Sequence, residues 1–470
     1  MEPDRFQFGG GSADTILHPL VMLGMLIAIV LIFTLPRKQV MVPVFLAFFN
    51  VPVTQVVVLG GVHFTVLRIL ILAVLARMLA FRGSSSDRRF AGGFNALDRA
   101  VVLWSLSALI IFSLQWMEMQ ALIKCLGDLV ESLGGYLAVR FLIPDREALR
   151  RSLYTLAAVC LIQGACMVSE QFTHQNVFSF LGAYQPEIRD GHVRAQGAIG
   201  GLYAGPLAAM LIPLFLWWWT EGKSRMAAGA GLAGATAMVF ASYASTSWTA
   251  YGASLLGLAF WPLRKQMRPV RWGLLATLVG LHLVMNGPVW SLIEKVDLTS
   301  GSSSYHRYML VDNCIRHFGD WWLLGSKSYG DWGFVMFDVC NQFVLAALRG
   351  GLVTLLIYIA IYQRSFAAIG KARKRVEGDL GQEWFLWCLG SALFSTVVSS
   401  FGINYMVQLM MCLFTLLACI SVAIFDTRLV TVRSEEAPGK ARFATSPWTA
   451  GTDLPLNEGT EGRWHGLFEA

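Results

Sequence analysis

Apolar runs of about twenty residues recur along most of this chain, and this feature restricts the fold more than any other. As a helix, each run is long enough to cross the ~30 Å hydrocarbon core of a bilayer. A helix also satisfies its backbone polar groups within its own segment, as lipid requires. Hydrophobic residues make up 55% of the chain, charged residues only 14%, and the mean hydropathy is +0.55. We therefore predict an all-α fold, a polytopic transmembrane helical bundle.

The runs predict about twelve or thirteen spans, the second being interrupted by Asn50, Pro52 and Gln55. The first run is followed by Pro36-Arg37-Lys38 rather than by small residues, so it does not have the form of a cleavable signal peptide. The predicted spans lie near 17–35, 40–59, 64–81, 99–115, 121–142, 152–172, 199–219, 226–244, 247–263, 272–289, 341–362, 384–401 and 403–425.

Basic residues fall on alternate connecting segments, which the positive-inside rule assigns to the cytoplasm. The two longest remaining connections, 173–196 and 290–340, then both lie on the non-cytoplasmic side. The net charge of +7 is explained by this topology and requires no nucleic-acid partner. Residues 1–16 form an N-terminal segment, 17–425 the transmembrane domain, and 426–470, polar and without apolar periodicity, a disordered cytoplasmic tail.

The first long loop ends in Arg189, His192 and Arg194, just before a glycine-rich entry into a span. An arginine there offers a planar fork that suits phosphate oxygens, and glycines let a backbone approach a ligand closely. The alternative is an interfacial arginine whose charge reaches up to lipid headgroups.

The second long loop contains the segment Gly301–Ser304, which is typical of a helix N-cap, and we expect a helix from it to about Phe318. At helical spacing, His306 and His317 share one face of this helix. An amphipathic helix lying on the bilayer is the alternative. The repeated Gly-Asp-Trp at 319–321 and 330–332 indicates either a surface that holds sugar rings or tryptophans that anchor the loop at the interface.

Lys124, Asp128 and Glu131 fall on one face of the fifth predicted span, and Arg68 lies near the outer end of its own span. Charges within a membrane are costly unless paired or hydrated, so this face is expected to look into the bundle. The three residues could form a structural ion triad, or they could line a path for protons or substrate. The sequence is consistent with both roles.

Metal and nucleotide motifs are missing from the sequence: it has no His-Glu-x-x-His, no Cys-x-x-Cys and no phosphate-binding loop. We therefore expect no metal and no cofactor, and a nucleotide-driven pump is disfavoured. Cys314 and Cys340 lie in the second long loop, where a disulfide is permitted, and we predict one between them.

Three stretches, Arg194–Leu214, Ser245–Leu258 and His306–Ile359, resemble the O-antigen ligase / O-antigen polymerase superfamily of bacterial polysaccharide assembly. The resemblance implies a type C glycosyltransferase-like bundle with a large periplasmic loop, in the bacterial inner membrane. Such enzymes transfer a glycan from an undecaprenyl-diphosphate carrier to an acceptor hydroxyl without nucleotide or metal. The implied partners are the lipid-linked oligosaccharide, an acceptor glycan or lipid-linked glycan, membrane lipids and polysaccharide assembly proteins.

Carried over to this chain, Arg194 and Arg307 would bind the lipid diphosphate and offset the charge on the leaving group. We expect both to converge on one pocket, within ~10–12 Å of each other. Arg189 and His192 are candidate substrate-binding residues beside them.

The family's usual His-Asn pair is altered here, since Asn341 is present but Cys340 stands in the histidine position. Trp248 likewise replaces an arginine after the Ser-x-Ser. Asn341 is a further candidate substrate-binding residue, and Asp338 or His306 is then the candidate general base, Asp338 alternatively capping the next helix.

Two other functions are open at the sequence level. A transporter or flippase for a lipid-linked sugar would use charges such as Lys124, Asp128 and Glu131 along its path. A non-catalytic scaffold of a polysaccharide secretion complex would tolerate the missing histidine.

Overall fold

The computed structural model describes residues 15–81, 89–222, 224–295, 303–333 and 335–436. These residues are mostly helical, with two short β-hairpins. The helices are α1 (Pro19–Thr34), α2 (Met41–Asn50), α3 (Val66–Ala80), α4 (Ala96–Trp116), α5 (Met119–Leu129), α6 (Gly135–Leu142), α7 (Arg146–Thr173), α8 (Gly201–Glu221), α9 (Arg225–Ala241), α10 (Ser245–Ala259), α11 (Met267–Val284), α12 (Leu292–Lys295), α13 (Ser303–Arg316), α14 (Phe318–Trp321), α15 (Gln342–Arg375), α16 (Leu380–Ser399) and α17 (Val407–Glu436).

Two antiparallel hairpins complete the described structure. Strands β1 (Val56–Leu59) and β2 (Val62–Thr65) pair with Val56 opposite Thr65. Strands β3 (Glu187–Arg189) and β4 (His192–Arg194) pair with Glu187 opposite Arg194.

Within the described residues, five helices are long and apolar enough to cross a membrane, namely α4, α7, α8, α15 and the part of α17 up to Thr427. A sixth candidate is the pair Trp261–Val284 and Val289–Lys295, bent by 97° at the break between them. The chain is therefore a multi-pass membrane protein. The predicted number of twelve or thirteen spans is not confirmed, because helices such as α1, α3 and α9 have only 15 to 17 residues.

The predicted second span, 40–59, is wrong. Its helix, α2, ends at Asn50, and Val51 is extended because it precedes Pro52, whose ring disfavours a helical conformation there. Gln55 is buried and its side chain accepts from the His18 backbone N–H at 2.7 Å and donates to the Leu181 carbonyl at 2.7 Å. The chain then turns back as the β1–β2 hairpin.

At the C-terminal end, α17 continues to Glu436, so the first residues of the predicted disordered tail at 426–470 are helical instead. Residues 437–470 lie outside the described residues, as do residues 1–14 of the predicted N-terminal segment.

Glycines allow the central helices to approach closely. A Cβ at Gly164 of α7 would lie 2.6 Å from the Gly234 carbonyl oxygen of α9. A Cβ at Gly205 of α8 would lie 2.0 Å from the Ser247 Oγ of α10. Small residues at such crossings increase van der Waals contact, which drives helix association where lipid removes the hydrophobic incentive.

The helix α15 is broken at Gly351, whose φ is 61° and ψ −169°. The loop after α14 binds to this break: the Leu352 N–H donates to the Trp322 carbonyl at 2.8 Å, and the Ser326 N–H donates to the Leu348 carbonyl at 2.9 Å. These two bonds fix the second long loop against the start of α15.

Candidate functional site

Arg194 lies on β4, opposite Glu187 of β3. Arg194 as a whole residue is 7% exposed, and its Nη1 donates to Glu187 Oε2 at 3.0 Å. Burial lowers the pKa of Arg194 below its ordinary value, and the Glu187 carboxylate opposes that shift. Its Nε is buried without a hydrogen-bond partner among the described residues. Arg194 also lines a cavity of about 300 Å³ together with Tyr203 at the start of α8.

Arg189 and His192 pair with each other at the turn of the same hairpin. Arg189 lies 4.0 Å from the Asp190 carboxylate, and the His192 ring stacks on Tyr243 with centroids 4.4 Å apart. Neither residue lines the cavity that contains Arg194.

Arg307 lies on α13, which confirms the helix expected in the second long loop, although α13 ends at Arg316 rather than at Phe318. Its Nη1 donates to the Ser245 Oγ at 2.8 Å, and its Nη2 donates to the Thr246 Oγ1 at 3.1 Å. Both hydroxyls belong to the first turn of α10. Two of the three stretches that carry the family resemblance therefore contact each other here.

His306, Asp338 and Cys340 meet beside Arg307. Each residue contributes one possible donor atom: an imidazole nitrogen, a carboxylate oxygen and the thiol sulfur. These three atoms all lie within 4.8 Å of one another. Asp338 is exposed, whereas His306 and Cys340 are half-buried. The His306 Nε2 lies 3.0 Å from the Val335 carbonyl oxygen. The sequence analysis singled out each of these residues, but no short motif joins His306 to Asp338 and Cys340, which follow it by 32 and 34 residues.

Cys340 cannot serve as a general base in place of the expected histidine. Burial and the adjacent Asp338 carboxylate raise the pKa of the Cys340 thiol to about 12, although Arg307 opposes that shift. The thiol is therefore neutral near pH 7, and Asp338 and His306 are left as the groups able to accept a proton.

The predicted disulfide between Cys314 and Cys340 is wrong, since both are free. Cys314 is buried on α13, where its carbonyl accepts a 2.6 Å hydrogen bond from the Trp321 indole. Cys340 instead lies with His306 and Asp338. The two cysteines lie in the same long loop, but Cys314 packs in a hydrophobic cluster and Cys340 in the polar group with His306 and Asp338.

Asn341 is 1% exposed and its side chain is fully used within the protein. It is the N-cap of α15: Oδ1 accepts from the backbone N–H groups of Phe343 and Val344 at 2.9 and 3.1 Å, and Nδ2 donates to the Phe401 carbonyl at 3.2 Å. The cap considered for Asp338 belongs to Asn341, so Asp338 has no capping role at this helix.

Tyr203 connects the two loops, a role that the sequence analysis missed. It lines the Arg194 cavity, interacts electrostatically with Asp338 and Cys340, and its hydroxyl donates to Asn404 Oδ1 at 3.4 Å. Arg194 and the group containing Asp338 therefore both lie near Tyr203. That Arg194 and Arg307 act on one ligand stays a prediction.

Lys124, Asp128 and Glu131 line a second cavity, of about 310 Å³, together with Arg349. Lys124 Nζ lies 2.8 Å from Asp128, and the Nε of Arg68 lies 2.6 Å from Glu131. Arg68 and Arg349 also lie 3.8 and 3.9 Å from Asp128. The predicted triad is therefore a five-residue ion network that faces a cavity. Met406 lines both this cavity and the one that contains Arg194.

The repeated Gly-Asp-Trp segments have different environments. Trp321 is buried, whereas Trp332 is half-buried and stacks on His317 with centroids 4.6 Å apart and planes inclined by 3°. The Asp320 carboxylate lies 2.9 Å from Nδ1 of His317. One face of Trp332 is therefore already covered by a histidine.

The chain matches no protein-family model, and no curated protein is significantly similar to it in sequence.

Proposed function

We propose that this protein is a glycosyltransferase that moves a glycan from an undecaprenyl-diphosphate carrier to an acceptor hydroxyl, as a polysaccharide polymerase or ligase of the bacterial inner membrane. The observation that carries the proposal is the placement of Arg307 beside Asp338, His306 and Cys340, near the start of α13, where Arg307 bonds to the first turn of α10. A cation for the diphosphate and a proton acceptor for the hydroxyl are the two groups that this transfer requires.

Arg307 is suited to binding the leaving diphosphate. The Ser245 and Thr246 hydroxyls hold its guanidinium in place before any ligand arrives. A charge that is oriented in advance stabilises the developing negative charge without reorganisation during the reaction. In this proposal Arg194, which lines a cavity with Tyr203, contacts the same lipid-linked substrate.

Asp338 is the proposed base, with His306 as its neighbour. Its carboxylate is exposed and can reach an acceptor hydroxyl, whereas the Cys340 thiol next to it is neutral. Removing a proton from the hydroxyl makes it a better nucleophile at the sugar carbon that loses the diphosphate.

The test uses the purified protein in liposomes with an undecaprenyl-diphosphate-linked oligosaccharide, and measures glycan transfer and chain length. Arg307→Ala is expected to lower the rate ~100-fold or more, and Asp338→Asn by a similar factor. Arg316→Ala is the matched control, because Arg316 lies on the same helix but is exposed and pairs with Asp312. Its transfer rate should equal that of the wild type.

Two results would contradict these assignments. If Asp338→Asn transfers at the wild-type rate while Arg307→Ala does not, Asp338 is not the base. If both variants transfer normally, this group of residues is not the reaction site.

Movement of a lipid-linked sugar across the membrane is the second candidate function, and the charged cavity around Asp128 favours it. Ionisable groups inside a bundle commonly mark substrate paths. The same liposomes separate the two functions: a transporter would change the sidedness of the lipid-linked oligosaccharide without changing its chain length.

A further inference from the structure

We propose that His306, Asp338 and Cys340 form a binding site for a divalent transition-metal ion, with Zn²⁺ as the best match. An imidazole nitrogen, a carboxylate oxygen and a thiol sulfur, each within 4.8 Å of the other two, supply the three ligand types that zinc takes in proteins. Three protein ligands leave the fourth tetrahedral position open. Mg²⁺ and Ca²⁺ prefer sites made of oxygen atoms alone.

The spacing of the donors is close to what a metal requires. With bonds of ~2.0–2.3 Å, neighbouring donors of a tetrahedral site lie roughly 3.3–3.8 Å apart. The three atoms therefore need to approach by up to about 1–1.5 Å, within the reach of side-chain rotation. Asp338 is exposed, so its carboxylate is free to make this movement.

The hydrogen bond of His306 favours the correct form of its ring. The Val335 carbonyl oxygen, 3.0 Å from Nε2, only accepts hydrogen bonds, so this contact places the proton on Nε2. The neutral ring then keeps a lone pair on Nδ1, so in this tautomer Nδ1 is the nitrogen that is available to a metal. Histidine ligands in metal sites usually donate their other N–H to a carbonyl or carboxylate in this way.

The charges of the ligands and of the neighbouring Arg307 limit the affinity of this site for a metal ion. A metal ion displaces the thiol proton of Cys340, so the thiolate and the Asp338 carboxylate together balance the two positive charges of the ion. Arg307 interacts electrostatically with Cys340 and is held by Ser245 and Thr246. It therefore repels the ion, and we expect binding weaker than at a structural zinc site.

A bound ion would also occupy the lone pairs that the transfer reaction uses. Zn²⁺ is therefore expected to inhibit glycan transfer, a consequence that rests on the proposed function. The metal site itself does not rest on it, because the three ligands are defined by geometry alone.

The experiment uses Co²⁺, which replaces zinc and gives an absorption spectrum. The purified full-length protein is treated with chelator in detergent and titrated with Co²⁺. The wild type should show a sulfur-to-cobalt charge-transfer band that Zn²⁺ removes by competition. Cys340→Ser should lose this band, and His306→Gln and Asp338→Asn should each weaken Co²⁺ binding at least tenfold.

Cys314→Ser is the matched control, because this thiol lies on α13 together with His306 but belongs to a different cluster. It should keep the band. A wild-type protein without the band, or a band that persists in Cys340→Ser, would overturn the proposal. Protein that shows the band with Co²⁺ but transfers no glycan after the metal has been removed would keep the metal site and reject the proposed function instead.

Discussion

Cys340 and Asn341 are neighbours in the chain, but the fold gives them separate roles. Asn341 is extended, with φ −150° and ψ 118°, and its buried amide both caps α15 and bonds to Phe401. Cys340 faces His306 and Asp338. Because the asparagine holds the start of α15, it also fixes the positions of Asp338 and Cys340 just before it. Asn341 therefore contributes to the site by positioning its neighbours.

Substitutions at Asn341 test this positioning role. Asn341→Ala removes the cap and the Phe401 bond, and we expect a loss of ~1–2 kcal/mol in the free energy of unfolding. Asn341→Asp keeps the acceptor for the Phe343 and Val344 N–H groups, so it should retain most of the cap. Thermal unfolding in detergent would measure both. Equal destabilisation by the two changes would contradict a capping role.

The broken helix α15 is the element that connects the second long loop to the charged cavity. Gly351 adopts a conformation that is essentially restricted to glycine. The loop residues Trp322 and Ser326 bond to the backbone on both sides of the break. Arg349, two residues before it, lines the cavity and lies 3.9 Å from Asp128. The break thus sets where this cation lies relative to the ion network.

Gly351→Ala is expected to destabilise the protein by ~1–3 kcal/mol, because alanine is strained at this φ and ψ. Its Cβ would also lie 2.5 Å from the Leu323 carbonyl oxygen. Gly370→Ala is a control in the same helix, with nothing within 4 Å of the added Cβ. It should stabilise α15 by up to ~1 kcal/mol. Calorimetric or fluorescence-detected unfolding of the two variants checks the opposite signs, and similar stabilities would argue against a strained break.

The bundle as a whole contains a fully buried ion pair that joins separate parts of the chain. Arg140 of α6 is 0% exposed, and its Nε donates to Asp98 of α4 at 2.9 Å. Its Nη2 donates to the Ala91 carbonyl at 3.1 Å, and Tyr136 donates to the same Asp98. Asp98 also completes the capping box of α4 with Asn95. One carboxylate therefore links a helix start, a second helix and the preceding loop.

Arg140→Met should be strongly destabilising, by ~3–5 kcal/mol, since it leaves the Asp98 carboxylate buried without its cation. Arg151→Met removes an arginine from an exposed pair with Glu147 and should cost no more than ~1 kcal/mol. The two variants are compared by unfolding temperature and by yield of monodisperse protein in detergent. A small effect of Arg140→Met would show that Asp98 is neutral or solvated in the fold.

The amino-acid sequence determined the class of this protein, because apolar runs are a local property that can be read without knowing the fold. It also determined the helix that carries Arg307 and the grouping of Lys124, Asp128 and Glu131, which line one cavity. Its number of spans is not confirmed, and its second span is wrong, since an apolar run such as 40–59 does not show where a proline ends a helix and a buried Gln55 reverses the chain.

Only the tertiary structure decided which side chains meet. His306 and Cys340 are 34 residues apart, and Arg307 and Ser245 are 62 residues apart, so their contacts depend on how α10, α13 and α15 pack. Arg68 and Arg349 joined the charged triad for the same reason. The sequence shows which residues can bind phosphate, accept a proton or hold a metal. Their distances, burial and partners follow from long-range packing, which no local pattern encodes.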